Sequence, residues 1–359
     1  MEKKIVAVTI IAAILVAAAL VFLNPSAPAQ EKKVLKIYSA TSLLYPLGIA
    51  EGRFEALYPD VDVQIEGHGS IQVIRHVVEL GDTADLLMVA DYSLIPTMMY
   101  VAKIPESTQS YSSWYLRFSE NSIVLAYTNT SKYASEITAD NWYNILSRPD
   151  VKYGFPNPMI DALGYRCLIT MQLAESYYGD ASIFDRLVSL HFNPPILTTT
   201  VGEKVNITVP EILNPEPKVY LRSSSIHLIP LLETGTIDYC FLYLSNAEQQ
   251  NFSYMLLPDE INLASPEMAE HYSSVSVNYK HERFATISLN RTGAPIYYGL
   301  TIPANAKNPD LAAEFVKFII YGEGKNIFNE AHQSIIFPAY TDNHSGLPAT
   351  LKPYAEEEP

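Results

Sequence analysis

The stretch VLKIYSATSLLYPLGIAEGRFEALYPDVDVQIEGHGS, residues 34–70, decides the fold. Apolar residues first form a continuous run, then recur with helical spacing, and then alternate, which is typical of strand, helix and strand. Together with the residues that follow, the pattern predicts alternating strands and helices over Val34–Ser39, Leu43–Leu57, Val61–Glu66, Ser70–Leu80 and Asp85–Ala90. This β-α-β-α-β order indicates a parallel sheet with right-handed crossovers. We therefore expect an α/β protein.

Two short turns in this region place hydroxyls where a strand ends and a helix begins. They are Ser39-Ala40-Thr41-Ser42-Leu43 and Gly67-His68-Gly69-Ser70-Ile71. The first turn of a helix has unpaired N–H donors and a partial positive charge, so it suits a small anion. In parallel sheets, ligands bind beyond the carboxyl ends of the strands. We predict that Ser42 and Ser70 face one cleft and bind an anion there.

Residues 1–29 are predicted to be a signal peptide or an N-terminal anchor. Lys3 and Lys4 precede the apolar run Ile5–Leu23, and Ala27-Pro28-Ala29 resembles a cleavage site. The run is just long enough to span a bilayer, so secretion with cleavage and a retained anchor both stay open. In either case we expect the remaining chain to work outside the cytoplasm, secreted or at the cell surface.

Composition limits the partners of the chain. Its net charge is −15, which argues against nucleic acid and against polybasic membrane binding. An anion ligand remains compatible, because surface charges beyond about 10 Å are largely screened. After the N-terminal segment, roughly 330 residues remain, enough for two domains. The two cysteines, Cys167 and Cys240, lie in apolar contexts and are expected to be buried free thiols, although one bridge stays open.

Beyond the first five elements the chain mixes strands and helices. Further strands are predicted at Trp114–Phe118, Ser122–Tyr127, Val151–Phe155, Ile237–Leu244 and Ile296–Pro303. Further helices are predicted at Asn141–Ser147, Tyr165–Tyr178, Ile183–Leu190, Ile226–Thr234 and from Asn308 to Ile320. The proline-rich segment 194–217 is typical of an inserted surface hairpin or loop. The polar tail after Asp342 is expected to be loose.

A series of short motifs, in this order, resembles the archaeal molybdate/tungstate-binding proteins of ABC uptake systems. The motifs are Tyr58-Pro59-Asp60-Val61-Asp62-Val63, Gly69-Ser70, Glu79-Leu80-Gly81-Asp82-Thr83-Ala84-Asp85, Ala90-Asp91-Tyr92-Ser93-Leu94-Ile95-Pro96, Asp140-Asn141-Trp142-Tyr143, Arg148-Pro149-Asp150-Val151 and Gly164-Tyr165-Arg166. They are spread over most of residues 34–340. Each motif is weak alone, and their order and spacing carry the resemblance.

The resemblance implies a type II periplasmic-binding-protein fold, in which two α/β lobes are joined by a two-strand hinge. Lobe one would comprise residues 30–118 and 294–345, lobe two residues 119–293, and residues 346–359 a polar tail. Ligand binding between the lobes would close them, and the closed form would dock onto an ABC permease with its ATPase. It further implies a monomer that captures molybdate or tungstate, uses no cofactor and catalyses no reaction.

The resemblance also assigns candidate ligand-binding residues to both lobes. They are the hydroxyls of Ser42 and Ser70, the carboxylate of Asp161, the tyrosine Tyr243, and backbone amides around Ala162 and Ser225. Asp161 would bind the molybdenum or tungsten atom or set selectivity. Arg166 is expected to pack or pair at its helix start, with orientation of the cleft loop as the alternative. The eight histidines form no H-x-x-x-H pair, so a metal-cation site built on histidine is not expected.

One position departs from the family pattern. Where the archaeal proteins have Asp-Tyr-Ala-Phe-Glu-Tyr, this chain has Asp238-Tyr239-Cys240-Phe241-Leu242-Tyr243, so Leu242 replaces a glutamate. The substitution removes one ligand of an octahedral centre and favours tetrahedral or incomplete coordination, with Glu248 open as a shifted ligand. It leaves three alternatives: a binder of sulfate, phosphate or a small carboxylate, a paralogue that binds no metal oxyanion, and an exported enzyme or sensor on the same fold.

Overall fold

The computed structural model describes residues 32–279 and 290–358, which form three β-sheets with flanking helices. The predicted signal or anchor segment, residues 1–29, lies outside the described residues. Within the described ranges, no helix is both long and apolar enough to cross a bilayer.

The first sheet has seven strands and contains both serine-bearing turns. In spatial order they are β16 (Ala355–Glu357), β15 (Ile335–Thr341), β4 (Leu116–Glu120), β14 (Tyr297–Thr301), β3 (Leu86–Val89), β1 (Lys33–Ala40) and β2 (Val61–His68). β1 pairs in parallel with both β2 and β3, which confirms the predicted parallel arrangement. The carboxyl ends of β1 and β2 therefore lie side by side.

Helices cover this sheet and fix the two turns. A 3-10 turn at Thr41–Leu43 leads from β1 into α1 (Leu44–Leu57). After β2, Gly69 is the N-cap of α2 (Ser70–Val78). Toward the C-terminus, α10 (Pro309–Ile320) and α11 (Glu323–Glu330) complete the layer. Phe54 of α1 packs edge-on against Phe315 of α10, with ring centroids 4.9 Å apart.

A second sheet is joined to the rest of the chain by two crossing connections, segments in which the chain passes from one sheet to another. Its strands, in spatial order, are β11 (Ser253–Leu256), β5 (Ile123–Tyr127), β10 (Tyr239–Tyr243), β6 (Tyr153–Pro156) and β9 (Val219–Arg222). The chain enters it between β4 and β5 through Asn121 and Ser122, and it returns to the first sheet through residues 293–296. The lobe boundaries remain a prediction; the boundary after residue 118 falls inside β4.

The helices of this second part differ in detail from those predicted. They are α3 (Trp142–Ser147), α4 (Ala162–Tyr178), α5 (Ile183–Leu187), α6 (Ile229–Glu233), α7 (Leu244–Gln249), α8 (Asp259–Asn262) and α9 (Ala269–Tyr272). α4 begins three residues earlier than predicted, because Asp161 caps it. The helix predicted at Ile226–Thr234 is divided into a 3-10 turn, Ser225–His227, and α6. Cys167 and Cys240 are both free and buried.

A third sheet, which the sequence did not predict, is built around the inserted segment. Its strands are β13 (Asn290–Thr292), β12 (Val275–Tyr279), β8 (Lys204–Val209) and β7 (Leu197–Val201). The predicted hairpin is present as β7 and β8, with Gly202 in the turn at a φ of 63°. β8 also pairs in parallel with β12, so the insertion is joined to distant residues.

The expectation of a loose C-terminal tail is wrong. Residues 355–357 form β16, which pairs in parallel with β15 at the edge of the sheet. Leu347, Leu351 and Ala355 are buried, so this segment has apolar residues of its own to hold it against the sheet. The tail therefore extends the first sheet by one strand.

Candidate functional site

Ser42 is buried at the carboxyl end of β1. Its Oγ accepts a hydrogen bond from the Tyr298 hydroxyl at 3.0 Å. Its carbonyl oxygen accepts from Nδ2 of Asn246 at 3.0 Å. Tyr298 belongs to β14, and Asn246 belongs to α7 on the far side of the crossing connections. Ser42 is therefore held from both parts of the molecule.

Ser70 is the first residue of α2 and is also buried. Its Oγ accepts a hydrogen bond from the Ala90 backbone N–H at 2.9 Å. Neither Ser42 nor Ser70 caps its helix with its side chain. Since each hydroxyl oxygen accepts a bond and no described residue accepts from it, each retains its own proton for a further acceptor.

Asp161 lies across from Ser70 and caps α4. Its Oδ1 accepts from the Leu163 backbone N–H at 2.8 Å, and the residue is 6% exposed. Asp161 is therefore a buried helix cap and not a solvated turn residue. Burial raises the pKa of the Asp161 carboxyl to about 7, although backbone N–H groups and Arg166 oppose the shift. The carboxyl therefore keeps its proton to a higher pH than an exposed aspartate does.

The two parts of the molecule touch at Gly69. A Cβ atom built on Gly69 would lie 2.4 Å from the Ile160 carbonyl oxygen and 3.1 Å from the Asp161 Cα. The same carbonyl accepts from the Gln72 backbone N–H at 3.4 Å. Because Gly69 immediately precedes Ser70, this contact places the Asp161 segment directly against the second serine turn.

Tyr243 ends β10 and completes the cluster. Its hydroxyl oxygen accepts from Nη1 of Arg166 at 2.8 Å, and its ring centroid lies 5.7 Å from that of Tyr298. Burial raises the pKa of Tyr243 well above its ordinary value, and nearby Asp161 adds to the shift. Tyr243 therefore stays protonated and remains a hydrogen-bond donor.

Ala162 and Ser225 also lie at this boundary between the two parts. Ala162 is the buried first residue of α4, where backbone N–H groups are free of intrahelical partners. Ser225 begins a 3-10 turn and lines a small cavity with Thr41 and Asn246. The structure thus gathers all six predicted residues around one buried boundary. Their role in ligand binding remains a prediction.

Several residues of the cluster were missed by sequence reasoning. The Asn121 side chain, at the crossing between the sheets, donates from Nδ2 to Tyr298 Oη at 3.3 Å and to Ser245 Oγ at 2.8 Å. Tyr298 in turn donates to Ser42, so the crossing connections are linked to the candidate site. The pattern carries no signal for this, because Tyr298 is one of 25 tyrosines in the chain.

The departure from the family pattern concerns Leu242 and leaves Glu248 open as a shifted ligand. Both side chains have surroundings different from those of the candidate site. Leu242 is buried in an apolar cluster with Val124, Leu228 and other side chains, whereas Tyr243 belongs to the main core. The Glu248 carboxylate accepts from the Tyr254 hydroxyl at 3.0 Å and lies 3.0 Å from His332 Nδ1. Among the described residues, no group of three or more His, Cys, Asp or Glu residues forms a metal-cation site.

The raised pKa of Asp161 predicts a pH-dependent stability. Between about pH 4 and pH 7, the folded protein still holds on Asp161 a proton that the unfolded chain has already released. The free energy of unfolding should therefore fall by roughly 4 kcal/mol as the pH rises through this window. Asp161→Asn keeps an oxygen that can cap Leu163 and does not titrate. We expect this variant to be more stable than wild type at pH 8 but not at pH 4, as measured by urea unfolding. A stability difference that is equal at both pH values would contradict the shift.

Comparisons with known proteins agree with this architecture. The family of bacterial extracellular solute-binding proteins matches residues 35–332. An uncharacterized solute-binding protein of Methanococcus maripaludis (strain C5) is 41% identical over 307 residues, covering 86% of this chain and 84% of that one. The molybdate/tungstate-binding protein WtpA of Pyrococcus abyssi is 39% identical over 323 residues, covering 86% of each chain.

Solved structures show the same fold. The sulfate-binding protein SubI of Mycobacterium tuberculosis matches with a TM-score of 0.53 at 13% identity, covering 90% of each chain. The periplasmic molybdate-binding protein of Azotobacter vinelandii matches with a TM-score of 0.51 at 14% identity, covering 84% of this chain and 99% of that one. The expected type II periplasmic-binding-protein fold is confirmed. The chain belongs to the family of bacterial extracellular solute-binding proteins.

Proposed function

We propose that this protein captures molybdate or tungstate outside the cytoplasm and delivers it to an ABC permease. The observation that carries the proposal is a set of contacts around two buried serine hydroxyls, each with a proton left to donate. Gly69, next to Ser70, contacts the backbone of Asp161, and Tyr298, which bonds to Ser42, lies beside Tyr243. The choice of ligand is supported by the relatives from Pyrococcus abyssi and Thermococcus kodakarensis, which are named molybdate/tungstate-binding proteins.

The proposed donors suffice for tight binding. They are the hydroxyls of Ser42, Ser70 and Tyr243 and the backbone amides around Ala162 and Ser225. Hydrogen bonds to a charged oxyanion contribute roughly 1.5–3 kcal/mol each. Nanomolar affinity requires about 12 kcal/mol, so about five to seven such bonds are needed once lobe closure and desolvation are subtracted. The helix beginnings at Ser70 and Ala162 add the favourable end of two helix dipoles.

Asp161 decides how the anion is held. A carboxylate beside an oxyanion is repulsive unless it is protonated or binds the metal atom itself. With its pKa raised to about 7, Asp161 can take the protonated form near neutral pH and donate to an oxyanion oxygen. We propose that it acts either in this way or as a ligand to molybdenum or tungsten. With Leu242 packed among apolar side chains, tetrahedral or incomplete coordination is favoured.

We further propose the lobes, export and docking that are typical of a type II solute-binding protein. Lobe one comprises residues 30–118 and 294–345, and lobe two residues 119–293. The N-terminal segment, residues 1–29, directs export and is either cleaved or kept as an anchor. The protein works as a monomer, catalyses no reaction, and docks in its closed form onto a permease driven by its ATPase.

Titration calorimetry with molybdate, tungstate, sulfate and phosphate tests the function. We expect nanomolar binding of the two metal oxyanions. Ser70→Ala removes one charge-assisted bond and should weaken binding by about 10- to 100-fold. Ser189→Ala is the matched control, since Ser189 is a buried serine whose Oγ has no partner among the described residues. It should bind as wild type does. No heat and no thermal shift with either metal oxyanion would reject the proposal.

An oxyanion without a metal atom, such as sulfate, is the second candidate. It is favoured by Leu242, which places an apolar side chain where the resembled family has a metal-binding glutamate. The same titrations separate the two candidates: sulfate would then bind more tightly than molybdate.

A further inference from the structure

Arg166 occupies the boundary between the proposed lobes and contacts both. It lies in the second turn of α4 and is 4% exposed. Its Nη1 donates to the Ala90 carbonyl oxygen of lobe one at 2.6 Å and to the Tyr243 hydroxyl of lobe two at 2.8 Å. Its Nη2 lies 3.7 Å from Oδ1 of Asp91, also in lobe one. One guanidinium group therefore links Tyr243 of its own lobe to Ala90 and Asp91 of the other.

The charge of Arg166 is balanced within the same contact. Asp91 is buried, and its carboxylate also accepts from the hydroxyls of Tyr165 and Ser93. Burial would raise the pKa of Asp91, but Arg166 and these hydroxyls outweigh it and hold the pKa below its ordinary value. Both members of the pair are therefore charged. A buried pair of this kind is formed only when the two lobes are in contact.

Arg166 also determines the direction in which the Tyr243 hydroxyl proton points. A guanidinium group can only donate, so Tyr243 must accept from it and has its own proton free for another acceptor. Ala90 also links Arg166 to Ser70 by position, because its carbonyl accepts from Arg166 while its N–H donates to Ser70 Oγ. A backbone N–H can only donate, so Ser70 accepts from Ala90 and has its own proton free.

We propose that Arg166 is the positioning residue that couples lobe closure to anion binding. Its bond to Tyr243 leaves that hydroxyl free to donate to the anion, and its bond to Ala90 holds in place the backbone group that contacts Ser70. This inference rests on the proposed function. It extends that function by naming a residue that need not touch the anion. A residue that only holds the lobes together would act independently of the Tyr243 hydroxyl, and this difference can be measured.

The test is a double-mutant cycle on the full-length exported protein, with tungstate affinity measured by calorimetry. The variants are Arg166→Lys, Tyr243→Phe and the double substitution, and Arg186→Lys is the control on an ion pair of the same lobe with Asp180. Arg166→Lys alone should weaken binding by about tenfold or more. In the Tyr243→Phe background, the fold loss of tungstate affinity caused by Arg166→Lys should be smaller by a factor of at least about five. Arg186→Lys should leave affinity unchanged.

A second measurement does not depend on how well Arg166→Lys folds. Tyr243→Phe leaves the contact between Arg166 and Ala90 intact, so this variant should still close on saturating tungstate, as seen in small-angle X-ray scattering, while binding it more weakly. Failure to close, or losses of affinity that simply multiply in the cycle, would overturn the inference while leaving the function in place. If the wild-type protein binds neither tungstate nor molybdate, the function and the inference both fail.

Discussion

Gly69→Ala should weaken tungstate binding by about a thousandfold or more, because it keeps the lobes apart. The added Cβ would lie 2.4 Å from the Ile160 carbonyl oxygen, a distance that side chains do not tolerate. Closure would then fail, and the anion would lose the donors of one lobe, worth roughly 4 kcal/mol or more. The backbone itself imposes no strain, since Gly69 has a φ of −62° and a ψ of 146°, which alanine adopts readily.

The control for this variant is Gly52→Ala. Gly52 lies within α1 of the same lobe, and its added Cβ would meet no atom within 4 Å. It should leave affinity unchanged and stabilise the protein by about 0.5–1 kcal/mol. Calorimetry gives the affinities, and small-angle X-ray scattering with and without tungstate gives the closure. Wild-type affinity in Gly69→Ala would show that this contact is not part of the bound state.

Leu242→Glu should destabilise the protein by about 5 kcal/mol at pH 7. The side chain lies with Val124 and Leu228 in an apolar cluster that is fully buried. A carboxyl group in this cluster is destabilising because no water solvates it, and the variant also loses the apolar packing of the leucine side chain. We therefore expect the variant to unfold at much lower urea concentration and to bind tungstate no more tightly than wild type. Leu242→Met, which conserves volume, should cost less than about 1.5 kcal/mol.

Saturating tungstate separates two explanations for this position. If the new carboxylate remains among apolar side chains, tungstate should stabilise the variant by no more than it stabilises wild type. If the carboxylate reaches the metal as in the resembled family, tungstate should stabilise the variant by more, because a ligand that binds the folded state more tightly shifts its unfolding further. That second result would contradict our placement of Leu242.

The parts of the fold that follow from local sequence pattern were predictable. β1, α1, β2, α2 and β3 each have their own periodicity, and their alternation is enough to indicate a parallel sheet. The serine turns could be found for the same reason, since each lies at a boundary between a strand and a helix. Asp161 and Tyr243 came instead from the resemblance, because a single acid in a loop or tyrosine in an apolar strand has no distinguishing pattern.

What could not be predicted depends on contacts between distant residues. The third sheet exists because β8 pairs with β12, about 70 residues away, and no local pattern in either strand specifies the partner. The roles of Asn121, Asn246 and Tyr298 arise only when the crossing connections bring them to Ser42. The polar composition of the C-terminal tail predicts a loose segment, whereas three spaced apolar side chains hold it against the sheet.

Two serine-bearing helix beginnings of one lobe should meet Asp161 and Tyr243 of the other around a single oxyanion. The most direct test is a crystal structure grown with tungstate, in which anomalous scattering locates tungsten. We expect one strong peak between the hydroxyls of Ser42 and Ser70 on one side and Asp161 and Tyr243 on the other. Tungsten at a different place on the protein, or closed lobes with no tungsten between them, would contradict it.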